Sequence, residues 1–227
     1  MKPDTWPCPL PAGDTAGELA LACDRGRALR LLMIPPLFDE ANKLRRLCVD
    51  VLRRLDAAGI DVFLPDLPGC NESLQLLDEQ TPASWREAMA AAAQHYRPTH
   101  VLGLRGGALV MPGGLPGWRY APAKGATILR QMLRARILAA REAGREETSE
   151  ALLEEGLTNG IELAGYRLSA AFIEQFQSLQ PAPAVGVSDI PQDMVGGSGL
   201  WLRAEPDEDR QQADTLAAIV AIGMKAA

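Results

Sequence analysis

The chain has 227 residues, 47% of them hydrophobic and 23% charged, and a net charge of −6 at pH 7. These values are typical of one globular domain with a substantial core, and they disfavour bulk disorder. The acidic balance and an aromatic content of only 5% argue against a nucleic-acid partner, which requires clustered basic residues or a stacking platform.

Cysteine usage and hydropathy set further bounds. The 4 cysteines contain no C-x-x-C pair and the chain has only 2 histidines, so we expect no metal site and no cofactor. Prolines occupy the N-terminal stretch where the apolar part of a signal peptide would lie, and no long apolar run follows. We therefore expect a cytoplasmic protein with reduced thiols and no membrane span.

The first third of the chain predicts strands and one helix. Residues 1–17 are predicted as an extended lead-in. Two short apolar runs, 18–23 and 28–34, flank Asp-Arg-Gly-Arg at 24–27, a pattern that predicts a hairpin. Apolar residues at intervals of three and one then predict an amphipathic helix over 40–58.

The middle of the chain alternates strand and helix. Strands are predicted at 60–64 and 99–104, with a helix over 82–96 that begins at Thr81-Pro82. Alternation of this kind predicts an α/β fold, a mostly parallel sheet flanked by helices. The functional edge of such a sheet lies at the carboxyl ends of its strands.

We interpret residues 1–227 as a single domain with a small helical insertion or lid at about 124–180. Whether this insertion closes over a site or contacts another subunit is left open. The remaining elements expected are a stunted helix at 107–111, a short strand within 115–123, helices at 126–143, 149–155 and 169–179, a hairpin at 160–168, a connection at 181–199, a strand at 200–204 and a helix at 209–224.

Gly103-Leu104-Arg105-Gly106-Gly107 marks a sharp corner between a strand and a helical start. The glycine spacing matches the G-x-S-x-G nucleophile elbow of α/β-hydrolases, but Arg105 stands where that motif has serine. A guanidinium stays protonated and cannot act as a nucleophile.

Four segments of the chain carry a family resemblance: I-P-P-L-F-D-E-A-N-K-L-R-R at 34–46, D-L-P-G-C-N-E-S at 66–73, G-L-R-G-G-A at 103–108 and I-E-L-A-G-Y-R-L-S at 161–169. In this order they resemble the α/β-hydrolase-like family called "hydrolase 2, exosortase A system-associated". The resemblance implies an α/β-hydrolase fold and an association with bacterial exopolysaccharide and exosortase loci. It implies no particular reaction. The chain departs from the family pattern at Asn71, where the family has glycine, and in its shortened helix after the elbow.

A Ser-His-acid triad is not expected, because both histidines lie at the wrong edge. His100 begins the strand that ends before Arg105, about 16 Å away at the usual rise per residue. His95 ends the preceding helix, and no histidine follows Trp201, where the fold would place the catalytic one. Cys70 is the best substitute nucleophile, if a cation such as Arg105 favours its thiolate, and Ser73 is a second. Neither has a histidine base, and packing of Cys70 as a small hydrophobe is the commoner role.

Arg105 has two interpretations. It either receives an anion together with the amides of Gly106 and the Leu37 turn, or forms a buried salt bridge with Glu40, Asp66 or Glu205. Around it, the residues expected to line a pocket are Leu37, Glu40, Asn42, Lys43 and Asp66. Alternatively, Asp39 caps the helix and Lys43 is solvated.

Two functions follow from these alternatives. The first is a degenerate α/β-hydrolase, an accessory or binding protein in exopolysaccharide or exosortase-associated processes, with an anion-accepting pocket at Arg105. The second is a noncanonical acyl- or glycan-ester hydrolase or transferase that uses Cys70 and Arg105. The partners considered are a small anionic, acyl or glycan ligand, a second copy of the chain and an exopolysaccharide-pathway protein.

Overall fold

The structure, a computed structural model, describes residues 1–10 and 13–226. Its strands are β1 (Lys2–Pro9), β2 (Thr15–Cys23), β3 (Arg30–Ile34), β4 (Asp61–Pro65), β5 (His100–Leu104), β6 (Gly117–Tyr120), β7 (Ile161–Leu163), β8 (Tyr166–Leu168) and β9 (Val187–Ile190). Its α-helices are α1 (Asp39–Ala57), α2 (Pro82–Tyr96), α3 (Gly125–Glu142), α4 (Ser149–Asn159), α5 (Ala170–Gln177), α6 (Gln192–Val195) and α7 (Arg210–Ala226).

A seven-stranded sheet with the order β1-β2-β4-β3-β5-β6-β9 forms the centre of the fold. The pairs β1–β2 and β2–β4 are antiparallel, and the other four pairs are parallel. β7 and β8 form a separate hairpin. The predicted fold class, a mostly parallel sheet flanked by helices, is confirmed.

The period-two alternation of the strands divides the core into two layers. On β3, Leu32 and Ile34 face the layer that contains residues of α2, α3 and α5. Leu31 and Met33 face the opposite layer, which contains residues of α1 and α7. Burial of both faces explains why the central strands are continuously apolar.

The hairpin predicted between the first two apolar runs is wrong. β2 and β3 are not neighbours, because β4 lies between them. The connecting loop is held by the fully buried Asp61, whose carboxylate accepts the backbone N–H groups of Arg25 and Arg27 at 3.1 and 2.9 Å. Residues 1–17 are also more than a lead-in, since β1 pairs with β2 along its whole length.

The C-terminal third also differs from the expectation. The predicted strand at 200–204 is a 3₁₀ turn, Leu200–Leu202. The last strand of the sheet is β9, within the predicted connection at 181–199. Val187-Ser188-Asp189-Ile190 is a short edge strand with two exposed polar residues, so its apolar pattern is weak.

The segment from α3 to α5 packs on one face of the sheet through aromatic residues. Phe38, beside the end of β3, contacts Trp85 of α2 and the rings of Phe172 and Phe176 of α5, with centroid distances of 5.1 to 5.9 Å in this cluster. Ser169 accepts the N–H of Phe172 at 3.2 Å and caps the start of α5. Across the described residues, no helix is both long and apolar enough to cross a membrane.

Candidate functional site: the elbow at Arg105

The elbow geometry is present at the end of β5. Arg105 has a φ of 51°, in the left-handed region that a non-glycine residue rarely adopts. A 3₁₀ turn, Arg105–Leu109, replaces the expected helix. Gly107 lies against the end of β3, where a Cβ atom would meet the carbonyl oxygen of Pro35 at 2.3 Å. The glycine is therefore required by the close approach of two backbones.

The Arg105 side chain is buried and paired. Its Nε and Nη2 donate to the two carboxylate oxygens of Glu40 at 3.1 and 2.9 Å. Its Nη1 donates to the carbonyl oxygen of Ala121 at 2.7 Å. Of the alternatives for Arg105, the structure has the salt bridge, with Glu40 rather than Asp66 or Glu205 as the acid. An incoming anion would have to displace Glu40.

Trp201 covers the guanidinium from the other side. Its ring centroid lies 3.9 Å from Cζ of Arg105, a cation–π contact. Trp201 belongs to the turn after the last strand, the region where an α/β-hydrolase is expected to carry its histidine. At this corner of the fold the structure therefore brings together an arginine, a glutamate and a tryptophan.

Apolar side chains pack closely on the backbone that would form an oxyanion hole. In an α/β-hydrolase the hole uses the N–H after the nucleophile, here Gly106, and one from the loop after β3, here Leu37. Leu37 is 2% exposed, and a Cβ on Gly106 would meet Leu37 and Ile128 within 3 Å. Gly106 and Leu37 therefore pack against each other, and a side chain at position 106 would not fit.

Backbone strain is concentrated around this salt bridge. Phe38, two residues before Glu40, has a φ of 55°, and Ala121, which accepts from Arg105, has a φ of 42°. Together with Arg105, these are three non-glycine residues in an unfavourable region within one small site. Strain of this kind clusters at functional sites when the surrounding contacts hold it in place.

The histidines lie where the sequence predicts. His100 is the first residue of β5, stacks on Trp118 with a centroid distance of 5.7 Å, and lies 2.9 Å from the Thr99 hydroxyl through Nδ1. Burial lowers the pKa of His100. His95 packs against the ring of Tyr96. Both lie at the amino end of β5, away from Arg105.

Cys70 lies in an environment that disfavours its thiolate. Burial, with the nearby Asp66 and Glu18 carboxylates, raises the pKa of Cys70 to about 12. The charged groups that act on this pKa are these carboxylates and not Arg105. The thiol packs against the apolar core instead.

Ser73 stabilises a loop. Its hydroxyl donates to the buried carboxylate of Glu18 at 2.7 Å and accepts the N–H of Gly69 at 2.9 Å. Gln75 donates to the same oxygen of Glu18 at 2.9 Å. These contacts explain the serine without a catalytic role.

The other predicted site residues separate into two groups. Leu37, Asn42 and Cys70 line a cavity of about 90 Å³, closed by Tyr166 of the hairpin. Arg105, Glu40, Lys43 and Asp66 do not line it. Lys43 pairs with Asp39 at 2.8 Å, so neither acts as expected: the helix N-cap is Phe38, without a side-chain hydrogen bond.

Asp66 lies beneath the loop that follows β4. One of its oxygens accepts from Asn71 at 2.7 Å and from Arg45 at 3.3 Å, while the other accepts no hydrogen bond from the described part of the chain. Burial raises the pKa of Asp66. Among the described residues, no group of three His, Cys, Asp or Glu side chains is arranged to hold a metal ion.

Comparison with known proteins identifies the fold. No family model matches the chain, and no curated protein matches its sequence. Among solved structures, the esterase domain of a Rhodothermus marinus protein is similar with a TM-score of 0.57 and 15% identity, over 99% of both chains. Mouse alpha/beta hydrolase domain-containing protein 10 is similar with a TM-score of 0.52 and 14% identity, over 84% of this chain and 77% of that one.

At this level of identity the likeness concerns the fold alone. The chain has the α/β-hydrolase fold, as the strand order and the elbow at Arg105 also indicate.

Proposed function

We propose that this protein is a degenerate α/β-hydrolase that does not hydrolyse esters at its elbow. The observation that carries the proposal is the buried Arg105 side chain, which pairs with Glu40 and Ala121 and lies against Trp201. A serine hydrolase needs a nucleophile and a histidine base beside it. Here the nucleophile position holds a guanidinium, and both histidines lie at the amino end of β5.

We further propose an accessory role in bacterial exopolysaccharide production, in the cytoplasm. Support comes from the resemblance of four segments to the exosortase-associated family. Within this role Arg105 stabilises the edge of the sheet rather than recognising a free anion.

A panel of activated esters and thioesters tests the first part. We expect turnover by the wild type no greater than that of a heat-denatured sample. Turnover that is lost in Cys70→Ala or Arg105→Ala would refute the proposal and support the alternative, a noncanonical acyl- or glycan-ester hydrolase or transferase that uses Cys70 and Arg105. Ser73→Ala is the matched control, because it removes the hydroxyl group of the second candidate nucleophile in the same loop.

Gene deletion and complementation test the accessory role. We expect deletion in the source bacterium to lower exopolysaccharide, and Cys70→Ala to restore it as fully as the wild type does. Unchanged exopolysaccharide after deletion would refute the accessory role and leave the absence of ester hydrolysis to be judged by the panel.

A further inference from the structure

The crossover between β5 and β6 has no α-helix. It consists of the 3₁₀ turn at Arg105–Leu109 and a loop through Pro112 and Gly114. Crossovers between parallel strands usually carry a helix that covers the sheet. The missing helix leaves a groove of about 410 Å³ beside β6 and β9, within the size range of small-molecule sites.

The lining of this groove is mainly apolar. It is formed by the short crossover, by the loop before β9 and by β9 itself, with the apolar residues Ala108, Leu109, Met111, Leu115, Val185 and Val187. Val185 is fully exposed. Ala108 and Leu109 form its buried floor, and a concave, mainly apolar lining with a few polar groups is the usual form of a small-molecule site.

Two arginines lie in the groove, and they differ in their partners. Arg119 is occupied, because it donates to Asp189 at 2.6 Å and to the carbonyl oxygen of Ala182 at 2.7 Å. Arg86 of α2 donates only its Nε, to the carbonyl oxygen of Leu109 at 3.2 Å. Within residues 1–10 and 13–226, no carboxylate pairs with Arg86. Arg86 is exposed, and its two Nη groups donate to no residue in the described part of the chain, while the Nε contact holds the guanidinium at the groove.

We propose that this groove binds an amphiphilic anion, a carboxylate on a medium-length acyl chain. The apolar lining would take the acyl chain, and the free side of the Arg86 guanidinium would take the carboxylate by paired hydrogen bonds. Asp189, the carboxylate beside the groove, is neutralised by Arg119, so the site retains one net positive charge in an acidic protein. The site is separate from the elbow and does not depend on the function proposed above.

Calorimetric titration of the full chain with decanoate tests the proposal. We expect saturable binding of decanoate, with decanol and decyltrimethylammonium bound at least about tenfold more weakly because they lack the hydrogen-bonded charge. Arg86→Gln should weaken decanoate binding about tenfold and leave decanol unchanged. Arg141→Gln is the matched control, since Arg141 is also exposed and lies on α3 outside the groove.

A second variant tests whether the acyl chain occupies the groove. Val187→Trp fills the groove from a half-buried position on the edge strand β9 and should abolish binding without a change in the circular dichroism spectrum. Absence of decanoate binding by the wild type, or equal binding by Arg86→Gln and the wild type, overturns the proposal. If Val187→Trp does not fold, the comparison of Arg86→Gln with Arg141→Gln still decides it.

Discussion

The salt bridge between Arg105 and Glu40 makes a sharp prediction about stability. Both side chains are buried, at 10% and 9% exposure, so removal of either one leaves an uncompensated charge in the core. We expect Arg105→Met to lower the free energy of unfolding by about 3–4 kcal/mol and Glu40→Leu by about the same. Loss of the cation–π contact with Trp201 accounts for about 1 kcal/mol of the effect of Arg105→Met.

The double variant distinguishes a structural pair from a binding site. With both charges replaced by apolar side chains of similar size, we expect a loss of only about 1–2 kcal/mol, less than either single variant. Urea unfolding followed by far-UV circular dichroism measures all four corners of the cycle. Arg25→Met is the control: its guanidinium pairs with Asp56 at 2.8 Å but is 61% exposed, so a loss of less than about 1 kcal/mol is expected.

Two results would contradict this reasoning. If the double variant loses as much stability as the two single variants together, the residues act independently and the pairing does not stabilise the fold. If Arg105→Met is as stable as the wild type, the guanidinium is free to recognise a ligand, and the anion-receptor interpretation returns.

Three further predictions concern other parts of the fold. The pKa of Cys70 is raised to about 12 from 9.0, so its thiolate is about 1,000-fold scarcer at pH 8 than in the unfolded chain. Iodoacetamide labelling of Cys70, followed by mass spectrometry, should be correspondingly slower in the native protein than in urea. Rapid labelling of the native protein would support a role as nucleophile. Burial lowers the pKa of His100, so the unfolded state binds more protons than the folded state below about pH 6.5. Between about pH 7.5 and 5.5, urea unfolding should therefore show a larger loss of stability for the wild type than for His100→Phe. Equal losses of stability in the two proteins would refute this. Gly107→Ala should lower the free energy of unfolding by about 1–3 kcal/mol, because its Cβ meets Pro35. Gly113→Ala, with open space around its Cβ, should leave the melting temperature nearly unchanged. Equal melting temperatures for the two variants would show that the contact with Pro35 relaxes.

The order of the central elements could be predicted because each carries its own periodicity. α1 and α2 begin and end within one residue of the predicted bounds, since amphipathic spacing and the Thr81–Ser84 capping box are local signals. Strand neighbours are not local. Insertion of β4 between β2 and β3 depends on the crossover formed by α1, and nothing at 24–27 distinguishes this loop from a hairpin turn.

The candidate site also has parts that local sequence signals predict and parts that depend on tertiary contacts. The substitution at Arg105 could be found from the glycine spacing, and Glu40 was one of three candidate acids. Choosing among them requires the relative positions of α1 and β5, which only the tertiary structure supplies. The sequence does not identify Trp201 as a site residue, because Leu200–Leu202 is too short an apolar run to distinguish a strand from a 3₁₀ turn. Its position after the last strand, where the fold would place a histidine, is the one feature of the sequence that points to the site.

The partners of Arg105 are far apart along the chain, at Glu40, Ala121 and Trp201. The contacts with Glu40 and Trp201 each close a long loop, which is costly before the strands have paired. Interactions absent from the folding transition state act mainly on the rate of unfolding. We therefore expect Arg105→Met to speed unfolding more than it slows folding, so that Arg105 lengthens the lifetime of the native state.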